Sequence, residues 1–486
     1  MKLRRLSDMT ASAPSIDVTI TGLTADSRAV RPGYLFAALP GTKADGRAFI
    51  PAAIANGAVA VLVPHGSTVE VPPQVALVQD ANPRRRFALM ASAFHGAQPR
   101  VMAAVTGTNG KTSTAEFFRQ IMTRLGHRSA AIGTLGIIAP GWDNSGGLTT
   151  PDPAGLHADL ARLAEMGITH ACMEASSHGL DQHRLDGVKL MAAAFTNLTR
   201  DHLDYHASMQ AYAEAKLRLF AEVLPEGATA VINADSDLAP RAVELCAKRG
   251  ITVLGYGRAA RDLRLAAARP TADGQELDLE IMGRAVTIRL PLAGRFQADN
   301  ALAALGLALA CGADPVTALE ALGSLEGVHG RLQKVAARAH GAPVYVDYAH
   351  TPDALETVLK ALRPHASRRL VVVFGCGGDR DAGKRPLMGA IGCRLADAMI
   401  VTDDNPRSED PAAIRAAVRG ACPAGIEIGD RRDAIRAAVS GLQKGDVLVI
   451  AGKGHEKGQI VGTTVLAFDD AEEARTAVDL ADGGVP

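Results

Sequence analysis

The sequence shows no excess of charge of either sign. Lysine and arginine together number 52, and aspartate and glutamate together also number 52. The absence of a broad basic field gives no reason to expect a nucleic-acid partner, and the absence of an acidic tail gives none to expect a disordered partner-binding segment. Small molecules remain the expected partners.

Long apolar runs are absent as well. No window approaches the roughly eighteen uninterrupted apolar residues of a membrane-spanning helix, and the charged residues that open the chain are not followed by an apolar core. We therefore expect a cytoplasmic protein with no segment inserted in a membrane.

Paired cysteine motifs are also missing. The six cysteines are scattered, with no C-x-x-C pair. This distribution is typical of a reducing compartment, where thiols pack as small apolar groups. We expect buried thiols at Cys172, Cys246, Cys311, Cys376, Cys393 and Cys422.

The chain is longer than one hydrophobic core usually serves. Its 486 residues suggest about three domains. We predict an N-terminal domain over residues 1–98, a central domain over 99–331 and a C-terminal domain over 332–486. The last two regions alternate short apolar strands with helical segments, which is typical of mostly parallel sheets. Residues 277–281 and 285–290 flank Met282-Gly283 and predict an added hairpin.

The predicted fold class is therefore α/β with three domains. We predict a mostly parallel sheet in the central domain and a Rossmann-like, doubly wound sheet in the C-terminal domain. The N-terminal domain is a smaller α/β unit.

The stretch Val101–Thr112 is an apolar strand that ends in a glycine turn and leads into residues with helical spacing. Such a turn directs backbone N–H groups and a helix N-terminus at one place, which favours bound phosphate. The loop reads G-x-x-G-K-T, because Val105 replaces the first glycine of a standard P-loop, so an ordinary strand-turn-helix corner remains an alternative. If a nucleotide binds, Lys111 would contact its outer phosphates and Thr112 would offer a hydroxyl to Mg²⁺.

Two further polar clusters, Glu174–Arg184 and Thr196–His206, also begin where predicted strands end. Ligands of parallel sheets bind beyond the carboxyl ends of the strands, so we expect the three clusters to form one site. Glu174 would either ligate Mg²⁺ or face solvent at the strand end.

Three basic side chains in this region are open to more than one interpretation. His202 and His206 have the i, i+4 spacing of a zinc pair, but Leu203 stands where a metalloprotease has its glutamate, and satisfied histidines are commoner than ligands. Lys216 lies in a helical segment, where a solvent-facing lysine is the ordinary interpretation.

Polar loops also follow the predicted C-terminal strands. The loop Gly375–Pro386 carries Arg380, Lys384 and Arg385, and Asp404–Arg407 adds another guanidinium beside a rigid turn. These groups are either surface charge or the binding site of an anionic or zwitterionic small ligand.

Five motifs together resemble the Mur ligase family, whose members join amino acids to the peptidoglycan precursor with ATP. They are Thr106–Thr112, Glu174–Arg184, Asn197–His206, Asp347–Asp353 and Asp404–Arg407. Within the family they look like the motifs of members that add diaminopimelate. The resemblance spans most of the chain and is looser over the first hundred residues.

The resemblance implies an ATP-dependent ligase of peptidoglycan precursor synthesis, which serves cell wall biogenesis, cell shape and cell division. It also implies that the central domain is a P-loop-type ATPase domain. The implied catalytic residues are Lys111, Glu174, His202 and Lys216. The implied ATP-binding residues are Gly107, Thr108, Asn109, Gly110, Lys111, Thr112, Ser113, Asn300, Arg331 and Asp347. Thr112 and Glu174 would ligate one Mg²⁺, and His202 and Lys216 a second. In this family the matching lysine is carbamylated, which replaces a repelling ammonium by an anionic oxygen ligand.

The resemblance also implies two further binding sites. The UDP-muramoyl dipeptide would be bound by Ala25, Ser27, Thr42, Lys43, Ala44, Thr149, Thr150, Ser176, Gln182 and Arg184. Diaminopimelate would be bound by Arg380, Asp404, Asn405, Pro406, Arg407, Gly452 and Glu456. Arg407 is the discriminating residue, because a guanidinium grips a second carboxylate but repels the ammonium of lysine.

Three alternatives compete with this interpretation. A lysine-adding ligase of the same family would lack an arginine at position 407. A folylpolyglutamate synthase shares the glycine loop but would not need the Asp404–Arg407 loop. A catalytically dead nucleotide-binding regulator is disfavoured, because the chain retains together Lys111, Glu174, His202 and Asp347. The expected cofactors are ATP, as co-substrate, and Mg²⁺, and the expected state is a monomer.

Overall fold

A computed structural model describes residues 2–10, 14, 16–41, 44–142, 149–202, 205–271 and 273–484. The chain forms two compact units. Unit 1 comprises Met1–Arg264, Glu280–Arg284 and Asn300–Ala321, and unit 2 comprises Leu265–Leu279, Ala285–Asp299 and Leu322–Pro486. The domain boundaries predicted at residues 98 and 331 stay predictions. Among the described helices, none combines the length and the apolar character needed to cross a membrane.

The N-terminal part of unit 1 is built on a small parallel sheet. Its elements are β1 Arg4–Arg5, β2 Thr19–Ile20, β3 Gly22–Thr24, β4 Tyr34–Ala37, α1 Ile50–Ala55, β5 Ala58–Pro64, β6 Ala76–Asp80 and α2 Pro83–His95. Strands β3, β4, β5 and β6 pair in that order, all parallel. Alternate residues of β4 serve opposite cores, since Leu35 packs in the cluster of Phe87 and Phe36 in the cluster of Ile50.

The rest of unit 1 is centred on a larger sheet. Its elements are β7 Val101–Thr106, α3 Lys111–Arg124, β8 Ser129–Gly133, β9 Gly136–Ile138, α4 Pro153–Glu165, β10 His170–Glu174, α5 Ser177–Asp181, β11 Leu190–Phe195, α6 Met209–Arg218, β12 Thr229–Asn233, α7 Ala239–Lys248 and β13 Thr252–Gly257. The strand order is β13-β12-β11-β7-β10-β8-β9, and only β9 runs antiparallel to its neighbour. Strand β7 therefore lies between β10 and β11, so the three predicted polar clusters follow adjacent parallel strands.

The chain crosses between the two units several times within the next part of the sequence, which contains five elements. They are β14 Leu263–Thr271, β15 Gly274–Ile281, β16 Arg284–Leu290, α8 Arg295–Ala310 and α9 Pro315–Ala321. Between β15 and β16, Met282 and Gly283 have φ angles of 47° and 80°. Positive φ at both central residues is the geometry of a two-residue hairpin turn, so the predicted hairpin is confirmed.

Unit 2 contains a doubly wound sheet. Its remaining elements are β17 Gln333–Ala337, β18 Pro343–Asp347, α10 Pro352–Leu362, β19 Leu370–Phe374, α11 Lys384–Leu395, β20 Ala398–Val401, α12 Pro411–Arg419, β21 Ile426–Glu427, α13 Arg431–Ser440, β22 Val447–Ala451, β23 Gly458–Val461, β24 Thr464–Ala467 and α14 Asp470–Ala481. The order is β17-β18-β22-β19-β20-β21, with β17 alone antiparallel. Along β19, Val372 packs in the cluster that holds α10, α11 and α12, and Val371 in the cluster that holds α13 and α14. The α/β fold class is confirmed.

The prediction of six buried thiols is wrong for two cysteines. Cys393 on α11 and Cys422 just after α12 form a disulfide with a Cα separation of 5.6 Å, whereas the four other cysteines are free and buried. The pair is 29 residues apart in sequence. Only the packing of α11 against α12 brings them together, so their spacing along the chain did not indicate the pair.

Candidate functional site

The glycine loop after β7 is bound to the loop after β11. The Thr108 N–H donates to the Asn197 carbonyl at 2.9 Å, and the Asn109 N–H donates to Asn197 Oδ1 at 2.9 Å. In return, Thr196 Oγ1 donates to the Asn109 carbonyl at 2.6 Å. Gly107 has φ 145°, and a Cβ at this position would collide with Thr196. Two of the three predicted polar clusters are therefore in direct contact, and the loop after β11 holds the glycine loop in place.

Gly110 ends the loop immediately before α3. Its φ of 87° lies in the left-handed region, and a Cβ there would collide with Oδ1 of Asn300. The predicted nucleotide contact Asn300, on α8, thus lies against the loop. Ser113 is buried in the first turn of α3. The loop and the N-terminus of α3 form the kind of site that binds phosphate.

Two lysine amino groups share one carbonyl oxygen at the start of the loop. Lys111 Nζ donates to the Gly107 carbonyl at 2.9 Å and to the Thr108 carbonyl at 2.8 Å. Lys216 Nζ also donates to the Gly107 carbonyl, at 2.7 Å. Lys216 is only 1% exposed, so its interpretation as a solvent-facing lysine is wrong. Burial, followed by the nearby charge of Lys111, holds the pKa of Lys216 well below its usual value, against the opposing effect of Asp201.

Glu174 does not face solvent, because it is only 2% exposed. Its Oε1 accepts a hydrogen bond of 2.8 Å from the Thr134 N–H, and its Oε2 accepts one of 3.3 Å from the Thr134 hydroxyl. Thr134 was not among the predicted site residues. Its position directly after strand β8, beside β10, was the available signal.

Thr112 and Glu174 line the same small cavity, together with residues of α3, β8 and β9. A hydroxyl and a carboxylate are the oxygen donors that Mg²⁺ accepts, so the side chains fit such an ion. Among the described residues no group of three or more His, Cys, Asp and Glu side chains could hold a metal ion. The zinc interpretation of His202 and His206 therefore finds no third ligand among the described residues. Thr112 and Glu174 offer only part of the oxygen shell of a magnesium ion, so water or a bound phosphate would have to supply the rest.

His202 and Lys216 both pack around Tyr212. The ring centroids of His202 and Tyr212 are 6.0 Å apart, and Lys216 Nζ lies 4.4 Å from the Tyr212 centroid. The Tyr212 hydroxyl is 3.2 Å from Thr108 Oγ1. His202 has φ 53°, and neither His202 nor His206 lies in a helix, so the two side chains share no helix face. Tyr212 was not among the predicted site residues. It connects His202 and Lys216, the pair predicted to hold a second Mg²⁺, to the glycine loop.

Four of the residues predicted to bind the muramoyl dipeptide form one hydrogen-bonded group, which is bonded to the backbone carbonyl of Glu174. Thr150 Oγ1 donates to the Glu174 carbonyl at 3.0 Å and accepts from the Ser176 N–H at 3.1 Å. Arg184 donates to the Thr150 carbonyl at 2.7 Å and to Gln182 Oε1 at 2.7 Å. Burial is the main cause that lowers the pKa of Arg184.

The other residues predicted for this ligand lie on the loops of unit 1. Thr149 Oγ1 is 3.0 Å from Thr134 Oγ1, which connects it to Glu174. Ala25 and Ser27 follow β3, and Ala44 follows β4. Because these two strands are parallel neighbours, the segments that follow them begin at the same end of the N-terminal sheet. Thr42 and Lys43 lie outside the described residues.

The two remaining predicted nucleotide contacts, Arg331 and Asp347, belong to unit 2. The Asp347 carboxylate accepts backbone N–H bonds from Leu332 at 2.6 Å and from Ala349 at 2.7 Å. Burial raises the pKa of Asp347 to about 6, although the nearby Arg331 charge acts in the opposite direction. The Arg331 guanidinium stacks 4.6 Å from the ring centroid of Tyr348.

The residues predicted to bind diaminopimelate also lie in unit 2. Asn405 Nδ2 donates to Glu456 Oε2 at 3.0 Å, and Gly452, with φ 116°, is closely packed against Asp404. Lys453 was missed; it is fully buried, and its amino group lies 2.9 Å from Asn405 Oδ1 and 3.4 Å from Glu456 Oε2. The available signal was a lysine in a glycine-rich loop after a strand.

Arg407 and Arg380 differ in how firmly they are held. Arg407 has φ 53°, and its Nη1 donates to the Gly378 carbonyl at 2.9 Å. Arg380, in contrast, is exposed. Pro406 is buried, and it packs so closely that a Cβ on Gly378 would collide with the Pro406 carbonyl. The loops after β19 and β20 therefore pack together and present both guanidinium groups at the same end of the sheet.

Comparisons with known proteins identify the family of the chain. Family models match for the Mur ligase family catalytic domain over residues 19–123, the Mur ligase middle domain over 105–308 and the Mur ligase glutamate ligase domain over 330–454. Relatives from Caulobacter vibrioides and Bradyrhizobium diazoefficiens are 55% and 52% identical, each covering 98% of this chain and 99% of the relative. Both are named UDP-N-acetylmuramoyl-L-alanyl-D-glutamate--2,6-diaminopimelate ligase.

A solved structure of a ligase with that same name is 36% identical and superposes with a TM-score of 0.75, covering 99% of both chains. Similarity of this extent, over nearly the whole length and with three matching family models, leaves one conclusion. The chain belongs to the Mur ligase family.

Proposed function

We propose that the chain is an ATP-dependent ligase that adds meso-2,6-diaminopimelate to the D-glutamate side-chain carboxylate of UDP-N-acetylmuramoyl-L-alanyl-D-glutamate, in peptidoglycan precursor synthesis. The observation that carries the proposal is the 55% identity, over 98% of the chain, to a relative named for this reaction. The polar loops of both units support it, because each reaction step has suitable side chains.

The first step activates a poor electrophile. The γ-phosphoryl group of ATP passes to the D-glutamate side-chain carboxylate, which forms an acyl phosphate and leaves ADP. Catalysis of phosphoryl transfer is mostly positioning and neutralisation of charge. The N–H groups of the glycine loop, the N-terminus of α3 and the Lys111 ammonium would orient the phosphates.

Magnesium would neutralise the charge that develops on the transferred phosphoryl group. Thr112 and Glu174 are suited to hold one ion through their oxygens, and His202 and Lys216 to hold a second. Lys216 fits this role only as a carbamate, because an ammonium repels a cation. Its lowered pKa favours the unprotonated amine, which is the form that reacts with carbon dioxide.

The second step forms the amide bond. The amine of diaminopimelate attacks the acyl carbon, phosphate leaves, and the amine loses a proton. In unit 2, the carboxylates of Asp404 and Glu456 suit an ammonium, and the Arg407 guanidinium suits the second carboxylate that distinguishes diaminopimelate from lysine. A folylpolyglutamate synthase would have no use for that guanidinium.

The test is release of ADP by the purified full chain with ATP, Mg²⁺ and the UDP-muramoyl dipeptide. We expect turnover with diaminopimelate, far less with lysine, and only background without an amine. Preference for lysine would favour the lysine-adding ligase, and turnover with a pteroylglutamate would favour a folylpolyglutamate synthase. Absence of ADP release with every amine would indicate a dead regulator. The monomeric state and cytoplasmic location stay predictions.

A further inference from the structure

Lys453 is a fully buried cation for which the two reaction steps give no role. It lies in the loop between β22 and β23, and none of its side chain is exposed. Its Nζ lies 2.9 Å from Asn405 Oδ1, 3.4 Å from Glu456 Oε2 and 3.8 Å from Asp404 Oδ1. One amino group therefore contacts three residues predicted to bind the amino acid.

The charges around Lys453 explain why an ammonium is buried there. A buried cation is costly unless acceptors and opposite charges surround it, and two carboxylates and an amide oxygen do so here. Asp404 is buried, but the Glu456 side chain is 35% exposed. Because the ammonium balances one of the two negative charges, the group keeps one net negative charge on a side chain that remains partly open.

Lys453 also fixes the orientation of the Asn405 amide. Asn405 Oδ1 accepts hydrogen bonds from Lys453 Nζ and from the Ile460 N–H, both at 2.9 Å. The reversed orientation would place the amide NH₂ against two donors. Asn405 Nδ2 must therefore point to Glu456 Oε2, which it meets at 3.0 Å. The amide in turn holds the carboxylate in place.

We propose that Lys453 is the positioning residue of the amino-acid site. Its ammonium prevents repulsion between Asp404 and Glu456 and holds Asn405 and Glu456 in the arrangement that receives the ammonium end of the amine substrate. The affinity for that substrate depends on this prearrangement, because the site then needs no reorganisation on binding. The inference rests on the proposed function, since it takes diaminopimelate as the amine.

The test compares Lys453→Met with Lys457→Met in the full chain, by ADP release at varied concentrations of each substrate. Lys457 lies in the same loop but is exposed. For Lys453→Met we expect KM for diaminopimelate to rise about tenfold or more, as for the loss of a charged hydrogen bond. The KM values for ATP and the UDP-muramoyl dipeptide should not change. Lys457→Met should behave as wild type.

A merely structural role gives a different result. A partly unfolded variant loses kcat in proportion to its inactive fraction, but the folded remainder keeps its KM. Formation of the acyl phosphate without amine, trapped with borohydride, should be normal in Lys453→Met. Lys453→Gln is a second variant that lacks the charge but keeps a donor, and it should show the same selective rise in KM.

An unchanged KM for diaminopimelate, or an equal rise in all three KM values, would overturn the role of Lys453. Failure of both variants to fold would show a structural lysine and overturn it as well. If wild type itself does not turn over with diaminopimelate in the same assay, the proposed function fails instead, so the two failures are distinguished.

Discussion

Lys216 on α6 donates a hydrogen bond of 2.7 Å to the carbonyl of Gly107, a residue 109 positions earlier in the chain. Lys111 donates to the same oxygen at 2.9 Å. A buried amine next to a second amine resists protonation, which lowers the pKa of Lys216. The contact thus places a buried amine with a lowered pKa against the Gly107 carbonyl at the start of the glycine loop.

The first prediction concerns carbamylation of Lys216. Lys216→Ala should lower kcat by about 100-fold or more, as expected when a group that stabilises developing charge is removed. Added acetate should restore part of the activity, because a small carboxylate can replace the carbamate oxygens. Wild type equilibrated with ¹³C-bicarbonate should give a carbamate carbonyl signal by NMR.

The exposed lysine at position 189 supplies the control. Lys189→Ala should keep both the activity and the ¹³C signal. A wild-type protein without the signal, or a Lys216→Ala variant that acetate does not restore, would contradict the carbamate.

The second prediction compares two glycines with nearly equal backbone angles. Gly110 has φ 87° and Gly126 has φ 86°, but a Cβ on Gly110 would collide with Asn300, whereas one on Gly126 would meet nothing within 4 Å. Both alanine variants should lose about 1 kcal/mol of stability through strain in the left-handed region. Only Gly110→Ala should also lose ATP affinity, measured by calorimetry with a non-hydrolysable analogue. Equal ATP affinity of the two variants would show that the packing of Asn300 against the loop is unimportant for binding.

The sequence predicted the strands well because both faces of the parallel sheets are buried. Residues 101–105 and 370–374 are continuous apolar runs, and the structure buries every residue in both. The polar clusters were located for the same reason, since each begins where such a run stops.

Side-chain environments within the site could not be predicted. Lys216 looked like a surface lysine, because the carbonyl that it contacts comes from a distant loop. Thr134 has no motif of its own, and its role follows only from the pairing of β8 with β10. The Cys393–Cys422 disulfide depends on the packing of two helices. These contacts depend on topology, which local patterns do not contain.

The third prediction concerns selection of the amine by Arg407. Its Nη1 donates to the Gly378 carbonyl at 2.9 Å, which anchors one side of the guanidinium. Arg407→Lys should raise KM for diaminopimelate by about tenfold to a hundredfold, because an ammonium cannot form the forked bond to a carboxylate. Lysine, which lacks the second carboxylate, should be affected much less.

The control for this change is Arg436→Lys on the exposed face of α13. It should leave the ratio of kcat/KM for the two amines unchanged. If Arg407→Lys also left that ratio unchanged, selection would have to depend on other residues.

The fourth prediction concerns the ion pair between Arg431 and Asp470, whose side chains are both fully buried. Arg431 also donates to the carbonyls of Asp403 and Ala451, which directly precede Asp404 and Gly452. Arg431→Met should cost about 3–5 kcal/mol of stability, because Asp470 is left charged and buried. The double variant Arg431→Met/Asp470→Leu should recover much of that stability in urea denaturation.

Affinity for diaminopimelate should not recover with it. The double variant restores an apolar interior but no longer holds the two carbonyls at the base of the amino-acid loops. We therefore expect its KM for diaminopimelate to stay raised. A double variant with normal KM would show that the pair contributes to stability alone.

The last prediction uses the pH dependence of unit 2. Burial raises the pKa of Asp347 from 3.8 to about 6, so the folded protein binds this proton more tightly than the unfolded chain does. The stabilisation that protonation of Asp347 gives to the folded state is fully present below about pH 4, and it is lost as the pH rises through about 6. This pKa shift corresponds to a change on the order of 3 kcal/mol in the free energy of unfolding.

Asp347→Asn removes the titrating group and isolates its effect. The single tryptophan, Trp142, lies in unit 1, so stability of unit 2 should be measured by hydrogen exchange of β18 in increasing urea. The stability of wild type minus that of Asp347→Asn should fall between pH 4 and pH 7. The asparagine carries a constant cost as well, because it can accept only one of the two backbone N–H bonds from Leu332 and Ala349. Since that cost does not vary with pH, parallel pH profiles for the two proteins would mean that Asp347 is ionised in the folded state throughout this range.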